Sequence, residues 1–250
     1  MHPTRMTACT AFGRKNLVAG LTALTLALFA TAGLAVETMS ENRAAHGFSQ
    51  IELDGQAEVT LRQGQTEGVT LEATASTLRD IKTEVRGGKL TIRVDSENHW
   101  WQWLIGAAAR TPKVTIDFIQ LDRLEASGAV SIVARSLKAN ELHLDFAGAC
   151  RLRIADLQAT RLRVDGAGAT RVDIAGRVTE QDIDLSGAGS YRAEDLVSDR
   201  TALQVSGAGK AIVNATKTLK AGISGAGLVE YVGDPEVERD VSGIGKIRRR

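Results

Sequence analysis

The chain has 250 residues, 43% of them hydrophobic and 24% charged, with a formal net charge of +1. This is ordinary globular composition, and the near-zero charge implies neither an overall polyanion-binding surface nor an acidic tail. Only one of the two cysteines, Cys150, lies beyond the first 35 residues, so the chain without that segment has no internal disulfide.

Residues 1–35 are a separate object. Arg5, Arg14 and Lys15 make a positive start with no acidic residue, and Leu17 to Ala30 is an apolar run. Small-x-small sites follow at Ala30-Thr31-Ala32 and Gly33-Leu34-Ala35. The pattern is that of a cleaved secretory signal. An uncleaved anchor is the alternative, since Leu17 to Val36 reaches the ~20 residues that span a bilayer. Export through the inner membrane, to the periplasm or the cell surface, is therefore expected. Cys9 precedes the apolar run and is not a lipid-attachment cysteine at the cleavage site. Without the segment, 28 basic residues face 30 acidic ones. Residues 36–45 are polar and read as a flexible lead-in.

Residues 46–120 read as a β-rich part. Phe48, Ile51 and Leu53, then Val59 and Leu61, alternate with polar residues, as do Val69, Leu71 and Ala73. Arg86-Gly87-Gly88-Lys89 between alternating runs predicts a hairpin. The part is either a cap or the irregular first coils of a solenoid that continues beyond residue 120. Residues 97–110 interrupt it and hold all three tryptophans, Trp100, Trp101 and Trp103. One reading is a loop that covers an open end of the fold; the other is an aromatic patch for a membrane, glycan or protein partner.

From residue 121 to 250 one phrase recurs seven times: an alternating apolar run, then Gly-Ala-Gly. Clear copies are LRVDGAG from Leu162, IDLSGAG from Ile183 and LQVSGAG from Leu203. Aligned on the motif, the first slot is Gly128, Phe146, Gly166, Gly187, Gly207, Gly225 and Gly243, at intervals of 18, 20, 21, 20, 18 and 18. The second slot is Val130, Gly148, Gly168, Gly189, Gly209, Gly227 and Gly245. A period near 20 is the signature of a solenoid. The expected fold is all-β: a single-stranded parallel β-helix of about 18–21 residues per coil, preceded by the less regular part. Both glycine slots are expected at corners, where positive φ and close stacking exclude a side chain.

Ser127, Asp145, Asp165, Ser186, Ser206, Ser224 and Ser242 precede the glycines and are expected to accept hydrogen bonds from turn amides. A calcium ladder is the alternative. Its motif needs an aspartate where this chain has Thr170, Tyr191, Ala211 and Val229. Leu142, Leu144, Leu152, Ile154, Leu162, Val164, Val172, Ile174, Ile183, Leu185, Leu203, Val205, Ile212 and Leu219 are expected inward. Cys150 is expected to pack as a small hydrophobe. Arg248, Arg249 and Arg250 put charge on the last coil, which discourages end-to-end growth.

The opening FSQIELDGQAEVTLRQG, the middle KLTIRV and the repeated SGAG ending in SGIGKI resemble the bacterial "putative auto-transporter adhesin, head GIN domain" proteins. The resemblance covers roughly residues 46–247. It implies export, a β-helical fold and a place in the cell envelope, and it brings no catalytic residues.

No catalytic, cofactor or metal constellation stands out. His46, His99 and His143 are far apart, there is no G-x-S-x-G elbow or phosphate loop, and no nucleic-acid partner is implied. The expectation is a non-enzymatic envelope protein, an adhesin-like or scaffold rod that presents a surface to an envelope protein, a glycan or another copy of itself. A self-assembling envelope scaffold is one alternative, and a polysaccharide-acting enzyme is the other. It needs acids and bases among Arg151, Arg153, Arg161, Arg163, Arg171, Asp173, Asp182 and Asp184 to converge.

Overall fold

Period-two alternation governs the chain. The computed structural model describes residues 38–95 and 111–250, and residues 1–35, read as an export signal, and the tryptophan insert lie outside the described residues. The strands are β1 (Met39–Arg43), β2 (Gln50–Gln63) and β3 (Gly68–Ala73), then, after helix α1 (Ala75–Asp80), β4 (Ile81–Arg86), β5 (Lys89–Val94) and β6 (Lys113–Phe118). The repeat region comprises β7 (Arg123–Ala134), β8 (Leu137–Gly148), β9 (Arg151–Gly168), β10 (Arg171–Gly187), β11 (Ser190–Gly207), β12 (Lys210–Gly225), β13 (Leu228–Val232), β14 (Glu236–Gly243) and β15 (Lys246–Arg249).

From β7 to β15 every pairing is parallel, and the chain winds as a β-solenoid of about six turns. Each of β9, β10 and β11 runs from one glycine corner to the next. Inward residues stack in rows. One row is Leu124, Leu144, Val164, Ile183, Leu203 and Ala221, all buried. Burial of such aliphatic rows is the dominant favourable term, at roughly 25 cal/mol per Å² of apolar surface.

The described residues 46–95 and 111–120 begin the same solenoid. β2 lies parallel to β7 over Gln50 to Leu61, and beneath its two arms lie β5 and β6, also parallel. The chain leaves β5 at Val94 and re-enters at β6, on either side of Gly55, which stacks under Gly128. The β4–β5 hairpin turns at Gly87 and Gly88, both at positive φ (57° and 79°), the turn that matches strand twist. β3 pairs antiparallel with β6, and β1 with β3. Within the expected flexible lead-in, Met39–Arg43 is thus a strand. Arg43 fixes it by donating to the carbonyls of Ile81 (2.6 Å) and Leu78 (2.9 Å). Helix α1 was not legible as such: it is six residues long, started by Thr74, whose hydroxyl accepts from the Thr77 amide.

Candidate functional site: the outer faces of the solenoid

The glycine corners set the register of every outward side chain. The stacked column is Gly55, Gly128, Gly148, Gly168, Gly187, Gly207, Gly225 and Gly243, all at positive φ between 93° and 122°. From Gly128 the intervals are 20, 20, 19, 20, 18 and 18. A Cβ on Gly187 would stand 2.9 Å from the Gly168 carbonyl oxygen, so the coil below forbids a side chain there.

This corrects the motif alignment. Gly168, not Gly166, stacks with Gly187, and Gly148, not Phe146, precedes it. Gly166 is a buried member of an inward row, between Phe146 and Leu185. Gly189, Gly209, Gly227 and Gly245 are not at positive φ; they continue the row Val130, Cys150 and Thr170 two residues past the corner. Ile212 is buried but lies in the outward register of Asp173, Arg192 and Glu230, while Ala211 and Val213 point inward. Corner amides bond to the coil below rather than to serine or aspartate: Ala149 N–H donates to Gly128 O at 2.8 Å and Ala188 N–H to Gly168 O at 3.0 Å. Ser127 instead donates to Asp54 at 2.8 Å and, with Arg93, holds that carboxyl below its usual range.

Before the corner, one outward row is acidic: Glu52, Glu125, Asp145, Asp165 and Asp184. Like charges one strand apart repel. Cations in the adjoining row answer them. Lys89 bridges Glu52 (3.3 Å) and Glu125 (3.1 Å), Arg123 bridges Glu125 and Asp145 (both 2.6 Å), and Arg163 bridges Asp165 (2.9 Å) and Asp182 (3.7 Å). A groove of about 750 Å³ runs along this row. Burial, with the Asp165 and Glu125 charges beside it, pushes the Asp145 carboxyl above its usual range against the pull of Arg123. Arg161 links Glu141 (3.2 Å) and Glu180 (3.3 Å), and His143 Nε2 lies 3.2 Å from Glu141.

The eight charged residues singled out in the sequence therefore do not converge. Arg161, Arg163, Asp182 and Asp184 lie on the arm before the corner; Arg151, Arg153, Arg171 and Asp173 lie on the arm after it. Arg151 stacks on Arg171 in register, and Arg151, Arg153 and Arg171 are exposed and make no ion pair among the described residues. Cys150, in the inward row behind them, is buried, and burial raises its thiol pKa. Trp100, Trp101 and Trp103 lie outside the described residues.

Two further features escaped the sequence reading. The row Leu142, Leu162, Leu219 is interrupted by Gln181 and Thr201, which with Ser198 and Tyr191 form a buried polar network. Gln181 donates to Ser198 (2.8 Å) and Thr201 (3.0 Å), and Tyr191 donates to Gln181 (2.9 Å). Counting from the corner, rather than from the first apolar residue, places Gln181 in a leucine row. At the last coil the inward rows hold Arg239, beside the Tyr231 hydroxyl at 3.1 Å, and Arg249, paired with Asp234 at 3.1 Å. A further coil stacked on this edge would bury two guanidiniums, a recognised way to blunt a strand edge.

A family model described as "Putative auto-transporter adhesin, head GIN domain" matches residues 47–235. No curated protein matches the chain. Among solved structures, a "putative adhesin" from Bacteroides fragilis NCTC 9343 superposes with a TM-score of 0.79 at 18% identity, over 86% of this chain and 97% of that one. A "putative lipid binding protein" from Parabacteroides distasonis ATCC 8503 gives 0.66 at 19% identity, over 85% and 96%. A "putative adhesin" from Parabacteroides merdae ATCC 43184 gives 0.65 at 19% identity, over 86% and 96%. At these identities the likeness is one of fold.

Proposed function

Because the chain belongs to the "putative auto-transporter adhesin, head GIN domain" family, we propose that it is an exported, non-enzymatic envelope protein whose lateral faces bind a glycan or an envelope protein. The observation that carries this reading is the unequal pairing of its two faces. On the arm before the corner, Lys89, Arg123, Arg163 and Arg161 each bridge two carboxylates and hold successive coils together. On the arm after it, three arginines stand free of such partners. Residues 1–35 supply the export signal in this reading, and the family is consistent with it. The charged inward rows of the last coil favour lateral contact over growth by end stacking.

A second reading has one observation in its favour. The raised Asp145 carboxyl in a carboxylate-lined groove has the electrostatic character of a general acid, which glycan cleavage would use. One experiment separates the two. Purified protein is incubated with acidic and neutral polysaccharides, and both retention and new reducing ends are measured. Retention without new reducing ends is expected; reproducible depolymerisation overturns the non-enzymatic reading.

A further inference from the structure

The chemistry of the free arginines narrows the partner. Arg151 and Arg171 are register neighbours on β9 and β10, so their Cα atoms are about 4.8 Å apart, and Arg153 lies ~6.6 Å along its strand from Arg151. Two cations stacked in register are unfavourable unless an anion answers them. The protein supplies none: among the described residues these three have no carboxylate partner, while Asp173, the register partner of Arg153, turns to Arg192 at 3.8 Å. Beside the pair runs a shallow groove of about 330 Å³. Its other wall is the exposed column Ala129, Ala149, Ala169 and Ala188, which comes directly after the corner glycines and leaves the groove without bulky obstruction.

We propose that this groove, with Arg151 and Arg171 as its charged wall and Arg153 just beyond its margin along the strand, binds a linear carboxylated polysaccharide. The assignment rests on the non-enzymatic binding reading above and names its partner. Guanidinium groups meet carboxylates through two parallel hydrogen bonds, and the alanine column leaves room for a narrow chain to lie along them. The borders select the form of the polyanion. Asp156, Asp173, Glu194 and Asp195 edge the positive strip, so a broad plane of lipid phosphates or a duplex would meet carboxylates as well as arginines. A single narrow chain avoids them. Single-stranded nucleic acid is bound largely by base stacking, and all described aromatic side chains, Phe48, Phe118, Phe146, Tyr191 and Tyr231, are buried.

The test uses the purified full chain, polygalacturonate as probe and dextran as neutral control, with affinity read by titration calorimetry. The variant Arg151→Ser/Arg153→Ser/Arg171→Ser is compared with Arg86→Ser/Lys217→Ser/Lys220→Ser, which removes the same charge from residues that are ion-paired elsewhere. Circular dichroism and Tm establish that both fold, and Arg151→Lys/Arg153→Lys/Arg171→Lys keeps the charge without the fork. The expected result is at least a tenfold loss for the first variant, a change below about twofold for the second, an intermediate loss for the lysine variant, and no dextran binding. Equal loss in both serine variants, or no polygalacturonate binding by the wild type, overturns the assignment. So does arginine-dependent binding to phosphatidylglycerol vesicles without polymer binding, or arginine-dependent self-association seen by light scattering. New reducing ends in the polymer would instead contradict the non-enzymatic reading, and the variant affinities would still decide the groove.

Discussion

Gln181 donates from Nε2 to Thr201 Oγ1 at 3.0 Å, joining two successive coils at a place where other coils stack leucine. Its carbonyl oxygen accepts from the Tyr191 hydroxyl, and burial pushes the pKa of that hydroxyl upward. A satisfied buried network holds one arrangement, whereas a half-satisfied one is costly. Gln181→Leu is therefore expected to lower unfolding free energy by about 1–3 kcal/mol, because it strands the Tyr191 hydroxyl. Adding Tyr191→Phe to Gln181→Leu is expected to recover part of that loss. Urea unfolding of the three proteins checks this; a neutral Gln181→Leu would refute it.

The corner column gives a second contrast. Gly187 has φ 98° and lies against the Gly168 carbonyl, whereas Gly166 is not at positive φ, and a Cβ there would meet the flexible end of Leu185 at 3.1 Å and Thr170 at an ordinary 3.6 Å. Gly187→Ala is expected to cost about 1–3 kcal/mol from backbone strain, more if the coil below must move, and Gly166→Ala less. Thermal unfolding of the two variants decides the order. The reverse order would return Gly166 to the corner.

These two places show how far the sequence could be read. The solenoid, its coil length and nearly all inward aliphatics follow from period-two alternation and the 20-residue repeat. What failed was phase. A motif with glycines two residues apart fits either glycine to the corner, since a two-residue slip keeps every side chain on its face. Leu144, Phe146 and Gly148 satisfy both alignments, and only the pairing of whole coils chooses. The slip hid Gln181 in a leucine row; Ile212 was a separate misplacement by one residue, an apolar side chain set between the inward Ala211 and Val213. The β2 coil was obscured for another reason: β5 and β6, which stack beneath it, come after it in the chain. The arginine wall was visible as residues but not as a site, because which charges are paired depends on the neighbouring coil.

The acidic row predicts a pH effect of definite sign. Asp145 is held above its usual range in the folded protein, so its ionisation opposes folding: stability from this group falls as pH rises from the unfolded value, about 3.9, through the folded one. Asp145→Asn is thus expected to raise Tm at pH 7 and to give no such gain below about pH 3.9. Glu125 has the opposite sign. Burial raises it, but the hydrogen bonds from Lys89 and Arg123 prevail and hold it low, so its contribution is present above the unfolded value and lost as pH falls through the folded one. Tm of wild type and Asp145→Asn across this range checks the sign, and destabilisation at pH 7 would contradict it.

The stacking of coil on coil in this register underlies every face described, and thiol cross-linking reads it directly. Ala167 and Ser186 are exposed register partners, about 4.8 Å apart between Cα atoms, whereas the motif alignment would pair Asp165 with Ser186. With Cys9 and Cys150 replaced by Ser and Ala, the pair Ala167→Cys/Ser186→Cys is expected to be joined rapidly by a short bifunctional thiol reagent, and the pair Asp165→Cys/Ser186→Cys slowly. Faster joining of the second pair, or equal slow reaction of both, would contradict the stacked register on which the corner column, the paired acidic face and the arginine wall all depend.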